Sequence, residues 1–244
     1  MGPTDRQGES RFYQSGDGLR LHARDYDPGV GTRPPVVCLA GLTRNGDDFA
    51  SLARALAFES ATPRRVVALD YRGRGLSDHD PDWRRYDLAI EGADIVAGLE
   101  ALGIAKAHFI GTSRGGLNIM GLAPTRKAMI ASVVLNDIGP VLEIGGLARI
   151  KTYVGKNANP ASIEEAIALL KAGPALHFTS LSADEWRLFA TTTFGADESR
   201  LGPRYDLALG HVTEAFDLDK PMPDLWPLYD ALAGLPLLAI RGEA

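Results

Sequence analysis

One serine in this sequence has neighbours that could make its hydroxyl react. Gly111-Thr112-Ser113-Arg114-Gly115 fits the spacing G-x-S-x-G. It follows directly on the apolar run 108–110, and Gly115-Gly116 opens a helical stretch, 117–122, predicted to end before Pro124. A sharp turn from strand to helix would hold Ser113 in a strained backbone conformation, with its hydroxyl exposed at the carboxyl edge of a sheet. Glycines on both flanks remove side chains that would collide across that turn. The helix beginning there would aim backbone N–H groups and the positive end of its dipole at a reacting oxygen. Ser113 is thus a candidate nucleophile. On these five residues alone, a glycine-rich turn without chemistry stays open as the other reading.

A second segment fits the same chemistry. Ala40-Gly41-Leu42 follows the apolar run 36–39. A glycine there lets backbone approach a ligand, and the N–H of Leu42 would pair with that of Arg114 as the two donors of an oxyanion hole. A tight turn before a helix is the alternative. Both segments stand at the carboxyl ends of predicted strands, where open α/β sheets place their sites.

The elements that must hold them in place can be read from periodicity. The chain starts with a predicted hairpin, 11–14 and 19–26, around Gly16-Asp17-Gly18. Short runs apolar on both faces follow at 36–39, 66–69, 108–110 and 132–135, with a last one at 235–240. Such runs suit parallel strands covered by helices on each side. Between them, Phe49, Leu52, Ala53 and Leu56 have helical spacing behind Asp47 and Asp48, and Leu88, Ile95, Leu99 and Leu102 line a second helix stopped by Gly103. The alternation predicts an α/β fold: a mostly parallel sheet flanked by helices.

The rhythm breaks after Pro140. From 145 to 234 there are helical patterns and no strand run, with capping boxes at Ser162/Glu165 and Ser182/Glu185 and large apolar residues at Trp186, Phe189, Phe194 and Trp226. An insertion of this size reads as a helical cap, or lid, over one edge of the sheet, with Trp186 or Phe189 helping to wall a pocket. The predicted organisation is a core from 1 to 140, a cap from 141 to 234, and a core strand in 235–244.

Composition excludes more than it assigns. Of 244 residues 45% are hydrophobic and 23% charged, and the net charge of -5, from 31 acidic and 26 basic residues, leaves no nucleic-acid footprint. No segment has the apolar length of a membrane span, and Asp5, Arg6, Glu9 and Arg11 break up any signal-peptide core. The single cysteine, Cys38, permits no intrachain disulfide and reads as a buried, inert thiol. The expectation is a cytoplasmic protein that acts on a small molecule, with no cofactor, no metal, no nucleic acid and no membrane.

Three stretches carry a family resemblance: Cys38-Leu39-Ala40-Gly41-Leu42-Thr43-Arg44-Asn45, Asp70-Tyr71-Arg72-Gly73-Arg74-Gly75-Leu76-Ser77-Asp78, and 111–116. With Leu135-Asn136-Asp137-Ile138-Gly139-Pro140 they make the chain resemble the α/β-hydrolase superfamily, and within it the small bacterial serine hydrolases with a helical cap. The resemblance implies Ser113 as nucleophile, the amides of Leu42 and Arg114 as oxyanion donors, and hydrolysis of a carboxylic ester or similar acyl compound. Hydrolysis of a carbon–carbon bond beside a ketone, or ligand binding without catalysis, are the alternatives. The usual His-Gly before the oxyanion donor is Ala40-Gly41 here, which removes a buttressing side chain but not the N–H donor.

In this family the acid and then the histidine follow the serine. Arg241-Gly242-Glu243-Ala244 resembles the start of the acid's loop, so the chain reads as lacking the last strand, its helix and the histidine, and as inactive by itself. Asp137 is a possible alternative acid, although Asn136-Asp137 before Gly139-Pro140 also suits a turn. His177 and His211 fall in the predicted cap, His22 and His108 in strands, and His79 in a loop. None of the five suits the role of base.

Overall fold

The computed structural model describes residues 7–29, 33–173, 175 and 180–242. His177 and Glu243 lie outside them. Seven strands form one sheet: β1 (Glu9–Gln14), β2 (Arg20–Tyr26), β3 (Val36–Leu39), β4 (Val66–Asp70), β5 (Ala107–Thr112), β6 (Ile130–Asn136) and β7 (Leu237–Ile240). Their order is β1-β2-β4-β3-β5-β6-β7. The hairpin β1–β2 joins β4 antiparallel, and every pairing from β4 to β7 is parallel.

The apolar runs are strands because both of their faces are covered. All residues of β3 and β4 are buried, and their alternate side chains enter two different cores. Val37, Leu39, Val67 and Leu69 meet Ile95 and Leu99 of α2 (Leu88–Ala101) and Ile119 and Met120 of α3 (Arg114–Arg126). Val36, Cys38, Val66 and Ala68 meet Phe49, Ala53 and Ala57 on the other face. Each fully buried aliphatic side chain contributes about 1.5–3 kcal/mol. The Cys38 thiol is buried, and desolvation pushes its pKa up to about 12.

Several elements differ from the periodicity. Residues 49–56 are not one regular helix: a 3-10 turn at Gly46–Phe49 precedes α1 (Ala50–Arg54), and the chain then widens through Ala55–Glu59. The apolar stripe drifts as the pitch changes, which leaves Leu52 exposed. α3 does not stop before Pro124 but runs through it to Arg126. Proline there removes one bond to the preceding turn, while burial of Leu122 and Ala123 holds the helix on. β7 begins at Leu237 rather than at 235 because Pro236 has no N–H to give; its carbonyl instead accepts from Val133 N at 2.9 Å.

The chain divides into two compact units, Met1–Leu142 with Met222–Ala244, and Glu143–Pro221. The second holds α4 (Ile144–Tyr153), α5 (Ile163–Ala172), α6 (Ala183–Phe194) and α7 (Leu209–Glu214). Its core joins Ile163, Ala166 and Leu170 of α5 to Trp186, Ala190 and Phe194 of α6. Ser182 and Glu185 form the complete capping box; Ser162 accepts from Glu165 N, but the Glu165 carboxylate turns to Ala161 N at 2.7 Å. The boundary differs from 141–234 because α8 (Trp226–Asp230) belongs with the sheet: Leu228, Tyr229 and Leu232 pack into the core beside α3. No helix among the described residues is long and apolar enough to cross a membrane.

Candidate active site

Ser113 occupies the single residue between β5 and α3, with φ 50 and ψ -112. A non-glycine residue keeps such a conformation only where its surroundings enforce it. They do so through backbone: Ser113 N donates to the Asn136 carbonyl at 3.0 Å, and the Ser113 carbonyl accepts from Gly116 N at 2.9 Å and Leu117 N at 3.2 Å. The flanking glycines are sterically required. A Cβ on Gly115 would lie 2.1 Å from the Leu39 carbonyl oxygen, and one on Gly111 would lie 2.5 Å from the Gly115 carbonyl carbon. Ser113 is half-buried at the amino end of α3, where unpaired N–H groups and the helix dipole favour negative charge.

The loop after β3 comes to the same place. A Cβ on Gly41 would stand 3.9 Å from Ser113 Cβ and 3.5 Å from Arg44 Cγ, so the two segments singled out by sequence are neighbours. The loop is fixed at both ends of its turn. Arg74 Nε donates to the Leu42 carbonyl at 2.9 Å, and Gly46 N donates to Asp70 Oδ1 at 2.6 Å. Asp70 also accepts from Leu76 N at 3.0 Å and pairs with His22 Nδ1 at 2.7 Å; His22 Nε2 in turn meets Ser10 Oγ at 3.0 Å.

A buried network of charges supports the site, and sequence reasoning missed it. Arg72 bonds Asp94 at 2.7 and 2.8 Å and Asp80 at 2.6 Å. Glu91, fully buried, lies between Arg74 and Arg114, 2.8 and 2.7 Å away. Burial alone would raise the Glu91 pKa, but the two guanidinium groups hold its carboxyl below the usual glutamate range. The signal was present in the sequence: Glu91 and Asp94 occupy the inward face of α2 beside Ile95, and a carboxylate on such a face needs a buried cation.

The model of the alpha/beta hydrolase fold family matches residues 34–196. The chain belongs to the alpha/beta hydrolase family. It is 33% identical over 219 residues to the 3-hydroxybutyrate-oligomer hydrolase of Cupriavidus necator, covering 85% of this chain and 71% of that protein. Over 113 residues it is 36% identical to the sn-1-specific diacylglycerol lipase ABHD11 of Mus musculus, covering 46% of this chain and 35% of that protein. The crystal structure of an alpha/beta hydrolase from Novosphingobium aromaticivorans superposes with a TM-score of 0.87 at 40% identity, covering 98% of this chain and 82% of that one.

The remaining candidates of this alpha/beta hydrolase are dispersed. Asp137 follows β6, exposed and at φ 55, and its N–H donates to the Ile240 carbonyl at 2.8 Å. It is next in chain to Asn136, which holds Ser113 N, so it stands at the neighbouring strand end. His108 lies five residues before Ser113 along β5, about 16 Å at strand rise, and hydrogen-bonds Ser132 at 2.8 Å. His22 is three strand positions away, about 14 Å, and engaged with Asp70. His79 is exposed in the loop after β4, and His211 is in the helical unit, 3.1 Å from Glu214. Among the described residues no hydrogen bond joins Ser113 to a histidine. No group of three or more His, Cys, Asp or Glu among them is placed to hold a metal.

Proposed function

We propose that this alpha/beta hydrolase cleaves a carboxylic ester or similarly activated small acyl compound, with Ser113 as nucleophile and the N–H groups of Leu42 and Arg114 as oxyanion donors. The observation that carries the reading is the Ser113 backbone, held at φ 50 between a strand and a helix and beside Gly41. A relative named for 3-hydroxybutyrate oligomers, whose monomers are joined through ester bonds, supports the substrate class. Ser113 Oγ would attack the acyl carbon, and the carbonyl oxygen would become an oxyanion between the two N–H groups. The alcohol would leave as the acyl-serine forms, and water would then release the acid. The Ser113 proton needs a base; among the described residues of the sheet unit no histidine hydrogen-bonds Ser113, and Asp137 stands at the end of the neighbouring strand.

The experiment is covalent labelling. Mass spectrometry of the protein treated with a fluorophosphonate, with imidazole added to supply the base, should place the adduct on Ser113, and Ser113→Ala should abolish it. Hydrolysis of an activated aryl ester should be slow while no base engages Ser113, by roughly 10⁴–10⁶ against a complete triad. Measured above the reaction of imidazole with the ester in protein-free buffer, added imidazole should raise the rate in the wild type and not in Ser113→Ala. An adduct elsewhere would overturn the nucleophile. Rapid turnover without imidazole would show that a base is already in reach.

A further inference from the structure

Glu91 has no access to solvent and stands between two guanidinium groups. Oε2 accepts from Arg114 Nε at 2.7 Å and Asn118 Nδ2 at 3.1 Å, and Oε1 meets Arg74 Nη1 at 2.8 Å. Each guanidinium also holds backbone. Arg74 donates to the carbonyls of Leu42 and Arg72 at 2.9 and 2.8 Å, and Arg114 to that of Tyr86 at 2.9 Å. The two residues tied to one carboxylate, Leu42 through Arg74 and Arg114 directly, are the two that supply the oxyanion donors in the reading above. They come from different elements, the loop after β3 and the start of α3.

We propose that Glu91 is a positioning residue: through Arg74 and Arg114 it sets the spacing of the two donor N–H groups without touching substrate. The inference rests on the assignment of Ser113. Stability alone is a poor reason for such a triad, because a buried Arg–Glu–Arg group is often no better than apolar residues of the same volume. Direction is what it supplies. A guanidinium is a rigid planar fork, so holding one of its nitrogens at Glu91, Nη1 of Arg74 or Nε of Arg114, restricts where its other N–H groups point. An oxyanion hole needs that tolerance, since a misplacement of about 1 Å costs about 10²-fold. Charge and position also make opposite demands here. Glu91 offsets one of two positive charges, so a purely electrostatic view has its removal favouring an oxyanion, whereas loss of positioning disfavours it.

Phenylboronic acid, which forms a tetrahedral adduct on a serine oxygen, is the probe, read by amide NMR on the full chain. Glu91→Gln should displace the amide resonances of both Leu42 and Arg114 in the free protein and weaken the boronate by roughly 10²-fold. Arg74→Lys keeps a cation for Glu91 but not the simultaneous bond to Leu42. It should move Leu42, leave Arg114 in place and weaken the boronate as well; if Glu91→Gln does not fold, this variant decides. An unmoved Leu42 amide in the folded variants, or equal or tighter boronate binding in Glu91→Gln, overturns the proposal. Failure of the wild type to form any adduct would instead sink the Ser113 assignment, and the two amide positions alone would then decide the role of Glu91.

Discussion

At the scale of single residues, the site depends on where a methyl group can and cannot go. Gly115 faces the Leu39 carbonyl oxygen, with 2.1 Å left for a Cβ, whereas Gly121, exposed on the same helix, has nothing within 4 Å. Gly115→Ala must push α3 away from β3 and should cost about 3 kcal/mol. Gly121→Ala should instead gain about 1 kcal/mol from helix propensity. Urea denaturation of both variants checks this, and equal effects would mean that the close approach at Gly115 is not real. The same contrast explains what could be read in advance. The strained turn at Ser113 was legible because its constraint is local, written in glycines two residues away on each side. Glu91 was not, because its meaning depends on Arg74 and Arg114, which the chain brings to α2 only by folding.

Among the elements, strands were easier to read than helix ends. β3 and β4 are buried on both faces, so their apolar runs had no competing explanation. Residues 49–56 are helical as their spacing predicts but change pitch at Ala55, and α3 runs past Pro124 because tertiary packing outweighs the lost hydrogen bond. β7 shows the limit of composition in another way. Its apolar run predicts burial, yet Leu238 and Ile240 are 55% and 46% exposed, and among the described residues it pairs only with β6. An exposed apolar edge offers unpaired N–H and C=O groups to another chain. The 244-residue chain should therefore form edge-to-edge dimers or aggregates in concentration-dependent light scattering. Leu238→Lys should shift it toward monomer, as charged edge residues do. A wild type that stays monomeric at every concentration would rule this out.

For the molecule as a whole, a second unit with a core of its own accounts for the change of rhythm after Pro140, which the sequence showed as a loss of strand runs. The position of the boundary was less legible: Leu228, Tyr229 and Leu232 look like one more turn of an apolar helix wherever they dock. The pairing of β6 with β7 now has a kinetic meaning. The two strands are adjacent in the sheet, but residues 137–236 lie between them in the chain, and Glu143–Pro221 has a core of its own. Closing so long a loop has an entropic cost that falls by about 0.6 kcal/mol for each halving of its flexible length. A helical unit that forms from local contacts shortens the loop before closure, and local contacts form fast. β7 should consequently be the last strand to dock during refolding. Pulsed hydrogen exchange should find amides of α5 and α6 protected before those of Leu237–Ile240; protection of β7 first would show that the sheet closes around an unfolded insertion. On the ribosome the same order holds for a simpler reason: β6 emerges first and waits, its outer edge unpaired, until the rest of the insertion and β7 have been made.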